Sequence, residues 1–134
     1  MKRTLALFAV VLLMMAVVLP LGASAATSPR LPGSVKIVQH STPHDGQNYA
    51  FKGDLGHFKL DDNGGAGLLP NHKLFRVAGG SILTVTQVRS EKHGPLRSLT
   101  CSDAESVVNL SQHKAAMHVA PGENLVCTWK NTAA

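Results

Sequence analysis

Two cysteines occur in this chain, and each lies in a short strand-like run. One run reads Leu99-Thr100-Cys101; the other reads Leu125-Val126-Cys127-Thr128-Trp129-Lys130-Asn131-Thr132. Successive side chains of an extended strand point to opposite faces, so Leu125, Cys127, Trp129 and Asn131 share one side. Cys127 thus points with bulky apolar neighbours, toward a core. An inward cysteine on each of two strands points to a cross-strand or cross-sheet disulfide in a small β-sandwich. Two free buried thiols are the alternative. Closing a loop of about 27 residues would stabilise the fold by roughly 3.5 kcal/mol on the chain-entropy estimate. That is a large share of the ~5–15 kcal/mol that holds a typical domain together.

Disulfides persist in oxidising compartments, and the N-terminal segment fits that route. Lys2 and Arg3 precede an apolar run from Leu5 to Leu19, followed by Pro20 and the small-x-small site Ala23-Ser24-Ala25. Residues 1–25 read as a secretory signal peptide, cleaved before Ala26. An uncleaved anchor is the other reading, but the run is short for a span of ~20 residues. No cysteine stands at the cleavage site to carry a lipid. Past it no second apolar stretch occurs, so the expectation is an exported, extracellular protein with no stable membrane insertion. Residues 26–33, with Pro29, Pro32 and Gly33, read as a flexible leader. Residues 34–132 have the length of one domain.

The 13 Lys and Arg outnumber the 8 Asp and Glu, for a formal net charge of +5. The basic residues are scattered singly, without the run or stripe that tracks a phosphate backbone. Nucleic acid is therefore not an expected partner. A protein or a cell-envelope polymer is the expected kind of partner, and composition names neither.

Short alternating runs separated by turn residues fill the rest of the chain. The pattern predicts strands over 34–40, 48–52, 55–60, 72–77, 82–88, 96–101, 106–110 and 124–131, with a shorter one over 115–119. Val35, Ile37 and, less cleanly, Gln39 alternate in the first. Tyr49 and Phe51 point inward in the second, and Phe58 and Leu60 carry the third. Leu83, Val85 and Gln87 share a side. Loops are expected over 41–47, 61–67 and 90–95, with tight turns at 78–80 and 120–123. With no helical period, the sequence indicates an all-β sandwich of seven to eight strands with one disulfide.

These residues resemble the prealbumin-like β-sandwich repeats of bacterial surface proteins, related to the B-type domains of collagen adhesins and to pilin-type domains. The resemblance rests on Val35-Lys36-Ile37-Val38 with Pro43 after it, Tyr49 to Asp62, Phe75 to Gly80, Leu83-Thr84-Val85-Thr86-Gln87, Leu99 to Asp103, and Ala120-Pro121-Gly122-Glu123 running into Val126 to Thr132. It implies a stalk, spacer or interaction module. Many relatives carry an internal Lys–Asn isopeptide bond assisted by an acid. The lysine position falls on Gln39 here and the acid position on Gln87, while the asparagine remains as Asn131. Amide exchange needs a neutral amine nucleophile and a protonated carboxyl, and glutamine supplies neither. Lys36, three residues from Gln39, faces the other side of its strand. The resemblance thus implies degenerate isopeptide positions at Gln39, Gln87 and Asn131, with the disulfide in place of that staple. The two glutamines either hydrogen-bond each other and Asn131 in the interior, or meet water at the rim.

Seven histidines, His40, His44, His57, His72, His93, His113 and His118, raise the question of metal. His40 and His44 have no helix to present them, because Pro43 lies between. His113 and His118 flank a possible turn and could approach. No His-x-His and no cysteine pair with ligand spacing occurs, so surface histidines are the preferred reading. Asp61-Asp62-Asn63-Gly64 lacks the downstream glutamate of a calcium loop. Asn109-Leu110-Ser111 matches a glycosylation acceptor, which the bacterial resemblance leaves without a role. No nucleophile elbow, phosphate loop or nucleotide fingerprint appears. The expectation is a non-enzymatic module with no cofactor and no metal. The alternative is an extracytoplasmic metal-binding protein using its surface histidines.

Overall fold

The computed structural model describes residues 30–44, 46–62 and 69–133; the expected signal peptide lies outside them, as does most of the expected leader. Among the described residues the strands are β1 (Gly33–Thr42), β2 (Tyr49–Gly53), β3 (Phe58–Leu60), β4 (His72–Val77), β5 (Ser81–Gln87), β6 (Leu96–Cys101), β7 (Val107–Asn109), β8 (Lys114–Val119) and β9 (Asn124–Thr132). They build a four-stranded sheet in the order β4-β1-β9-β6 and a five-stranded sheet in the order β3-β2-β5-β8-β7. No helix among the described residues is long and apolar enough to cross a membrane.

The nine strands each fall on one of the nine runs predicted above, one more than the sandwich of seven to eight strands expected; β3 and β7 are three-residue edge strands. The third strand is shorter than expected. Leu55 and Gly56 belong to a turn instead, closed by Gly56 N–H donating to the Gly53 carbonyl at 3.0 Å, and His57 links it to β3. β1 runs two residues past its expected end at His40. β9 keeps pairing with it there, through Ser41 opposite Asn131 and Thr42 opposite Thr132.

Alternation decides which face each strand buries. β1 buries Val35, Ile37, Gln39 and Ser41, and β9 buries Leu125, Cys127, Trp129 and Asn131. β8 contributes Ala115, Met117 and Val119 from the facing sheet. Aromatic rings tie the layers together. Trp129 of β9 meets Phe51 of β2 edge to face at 5.4 Å, Phe51 stacks on Phe58 of β3 at 5.2 Å, and Phe58 lies 5.0 Å from Phe75 of β4. Such pairs add roughly 0.5–1.5 kcal/mol each beyond their buried area.

β1 and β9, the first and last strands, run parallel at the centre of their sheet, in register from Ser34 opposite Asn124 to Thr42 opposite Thr132. Parallel strands begin at the same end. The chain therefore enters β1 at one end of the sandwich and leaves β9 at the other, roughly 30 Å away at ~3.3 Å per residue.

The two cysteines face each other in adjacent antiparallel strands, Cys101 of β6 opposite Cys127 of β9, and form a disulfide. The bond is thus cross-strand, within one sheet. Its Cys127 end is fully buried and its Cys101 end half-buried.

Candidate functional site

Alternation in β1, β5 and β9 aims one amide from each strand into the same end of the interior. Gln39 is 0%, Gln87 2% and Asn131 3% exposed, so none of them meets water at the rim. Buried amides require partners, and these find them in one another. Gln39 Nε2 donates to Asn131 Oδ1 at 3.0 Å and to the His40 carbonyl at 3.1 Å. Gln87 Nε2 donates to Gln39 Oε1 at 2.7 Å and to Asn131 Oδ1 at 2.9 Å. Asn131 Nδ2 donates to Gln87 Oε1 at 3.3 Å and to the Gly94 carbonyl at 3.1 Å. Each side-chain nitrogen carries two hydrogens, so every amide hydrogen of the three is committed. Gln87 belongs to the five-stranded sheet and the other two to the four-stranded sheet, so the ring clamps the layers together.

Chemically this ring is inert. Its nitrogens are amide nitrogens without a nucleophilic lone pair, and no carboxyl group belongs to it. What it supplies is directional bonding in a low-dielectric interior, where each such bond is stronger than in water.

Backbone groups complete the arrangement. Gly94 lies so close to β9 that a Cβ there would collide with the Thr132 carbonyl oxygen. His113 has a positive φ of 55°, and its carbonyl accepts both the Trp129 indole N–H at 3.0 Å and the Gln87 backbone N–H at 3.0 Å. Burial, and secondarily the charge of Arg89, hold the His113 imidazole below its ordinary pKa. Its Nδ1 is buried with no hydrogen-bond partner. The sequence raised His113 only as a possible metal ligand beside His118, and Gly94 only as part of a polar loop. Both act through main-chain carbonyls, which side-chain identity does not encode.

A second buried polar group stands at Asp61 and Asp62, where the sequence suggested a solvated loop. Asp61 and Asp62 are 6% and 0% exposed. Ser41 Oγ donates to Asp62 Oδ2, and His44 Nδ1 stands 3.8 Å from that same oxygen. Asn63 and Gly64, expected in the same loop, lie outside the described residues.

The histidines do not converge. His113 and His118 stand at opposite ends of β8, not across a turn, which separates them by roughly 16 Å. His40 and His44 do approach, with ring centroids 5.7 Å apart. Among the described residues no group of three or more His, Cys, Asp and Glu side chains could hold a metal ion.

No protein-family model matches the sequence, and no curated protein matches it. The fold is similar to that of a bacterial adhesin from Mobiluncus mulieris containing intramolecular disulfide, isopeptide and ester bond cross-links, with a TM-score of 0.53 and 12% identity. The match covers 76% of this chain and 41% of the adhesin chain. At that identity the likeness shows the fold alone: a bacterial adhesin-like β-sandwich.

Proposed function

We propose that this protein is a secreted, non-catalytic structural or interaction module of the bacterial cell surface, built as one prealbumin-like repeat over residues 34–132 behind a signal peptide (1–25) and a leader (26–33). The observation that carries this reading is the parallel pairing of β1 with β9 over Ser34–Thr42 and Asn124–Thr132. Tension applied to the two ends of such a domain pulls β1 and β9 past each other. The ladder bonds are then loaded together rather than one at a time, the arrangement a spacer under mechanical stress requires. The amide ring ties β5 of the facing sheet to this same strand pair, and the disulfide ties β6 to β9.

In this reading Gln39 and Gln87 stand at the positions of the lysine and the acid in cross-linked relatives. The adhesin of similar fold contains isopeptide and ester cross-links; here hydrogen bonds among Gln39, Gln87 and Asn131 do the holding. The partner is a protein or cell-envelope polymer.

Force spectroscopy tests the mechanical reading. Pulling through attachments at residues 33 and 132 should need a markedly higher force than pulling β6 away from β9 through residues 96 and 132, which opens one bond at a time. Equal forces in the two directions would remove the support for a spacer. Recovery of the protein from the cytoplasm, with residues 1–25 still attached, would remove the export reading.

A further inference from the structure

We infer that the cleft at the β5–β6 end of the sandwich binds a carboxylate monoanion. A cavity of about 300 Å³ opens there beside the amide ring. Gln87, Asn131 and Gly94 line it, together with Arg89, His93 and His113. Among the described residues lining it none is acidic.

The donors are already placed. Arg89 donates one N–H to the Ser111 carbonyl, which fixes the guanidinium beside the cleft and leaves four of its five N–H groups for a ligand. The His93 ring is held by stacking on buried Tyr49, with centroids 4.2 Å apart and planes 30° apart. His113 lines the cleft, and its buried Nδ1 lacks a partner within the protein. A buried polar nitrogen left unsatisfied is costly, and a turn of the ring that brings it to an acceptor in the cleft would relieve that cost. The amide ring has committed all its hydrogens, so it forms a rigid wall and leaves recognition to these three side chains.

The charge of the ligand follows from that of the site. Arg89 carries the one permanent positive charge among the lining residues, and burial favours neutral His113. One guanidinium matches one carboxylate, two parallel N–H groups to two oxygens. A phosphate dianion would bring a second charge without a second cation.

Such a carboxylate belongs either to a free small molecule or to the C-terminus of a peptide. NMR of the histidine ring signals in the intact protein at pH 7.5, at constant ionic strength, separates the two. Acetate should give saturable shifts of His113 and His93, whereas its neutral isostere acetamide should give none. Arg89→Gln should weaken acetate binding by about tenfold or more, the loss expected for a charge-assisted contact. His113→Asn, which tolerates the positive φ and keeps the backbone carbonyl, should weaken it as well; melting curves establish that each variant is folded. If acetyl-glycylglycine with a free carboxylate shifts the same signals and its C-terminal amide does not, a chain terminus fits the cleft. If only acetate binds, the ligand is a free small carboxylate. Equal shifts with acetamide, absence of saturation, or unchanged affinity in both variants would overturn the site. Tighter saturation by inorganic phosphate than by acetate would overturn the monoanion assignment.

Discussion

Gln87 Nε2 lies 2.7 Å from Gln39 Oε1, a hydrogen bond between strands of facing sheets whose residues are 48 positions apart in the chain. Asn131 Oδ1 accepts from both glutamines, at 3.0 Å and 2.9 Å. The ring is complete only when all three amides are present, and this makes its mutational response asymmetric.

Asn131→Ala should be the most damaging single change in the ring. It strands one buried hydrogen on each glutamine and opens a void. An unsatisfied buried donor costs ~1–3 kcal/mol, so the loss should be about 3 kcal/mol or more in urea unfolding. Replacing all three together, as Gln39→Met, Gln87→Leu and Asn131→Leu, leaves no amide unpaired and should cost less than the single change. A triple variant weaker than Asn131→Ala would mean that the ring adds net stability beyond satisfying its own members.

Reduction should expose how much the cross-strand disulfide contributes. Cys101 and Cys127 are 26 residues apart in sequence, and loss of a link across such a loop should remove roughly 3.5 kcal/mol. For a domain of this size that is a fall in Tm of roughly 10–20 °C. Calorimetry with and without reductant measures it. Alkylation of both thiols in the folded, unreduced protein would show the bond to be absent in solution.

Acid should destabilise the fold in two separate windows. The folded-state pKa of His113 is depressed, first by burial and then by Arg89. Below the ordinary value of 6.5 the unfolded chain takes up the proton first, so stability falls as pH drops from 6.5 to the folded value, then levels. Asp54 is also depressed, first by the Thr84 backbone N–H at 2.7 Å and then by its hydroxyl at 3.0 Å. Its contribution is complete above the ordinary 3.8 and is lost as pH falls through the lower folded value. His113→Asn should abolish the upper step and leave the lower one, as read from Tm against pH.

Alternation was the most legible property of the chain. The bounds of β4 and β6 were readable to the residue, because turn residues close both ends of each run. So was the inward parity of Cys127, Trp129 and Asn131 on β9, and of Gln39 on β1. Parity names a face and not a partner, so the parallel β1–β9 pairing and the choice of Cys101–Cys127 as a link within one sheet waited on the structure. Burial of Asp61 and Asp62 was not readable either. In a run of Asp, Asn and Gly, a turn-forming carboxylate and a buried one look alike. The contributions of Gly94 and the His113 carbonyl come from the path of the backbone, set by tertiary packing.

The ring geometry makes one chemical prediction. In Gln39→Lys/Gln87→Glu, the lysine amine would occupy the region where Gln39 Nε2 now lies 3.0 Å from Asn131 Oδ1. The glutamate would stand where Gln87 Nε2 lies 2.9 Å from the same oxygen. Burial favours the neutral forms of both new groups. The neutral amine can then attack Asn131 Cγ while the protonated carboxyl donates to Oδ1. Collapse breaks the bond from Cγ to Nδ2, forms the new Nζ–Cγ amide and releases ammonia, with the glutamate carrying the proton to the leaving nitrogen. The double variant should therefore lose about 17 Da, the mass of one ammonia, beyond the two hydrogens lost to its disulfide, with peptide mass spectrometry mapping the linkage between the introduced lysine and Asn131. Gln39→Lys alone lacks the acid and Gln87→Glu alone lacks the nucleophile, so each should lose no ammonia. The unsubstituted protein should show only the two-hydrogen loss of its disulfide. A folded double variant that loses no ammonia would show that these positions, though in contact, are not arranged for amide exchange.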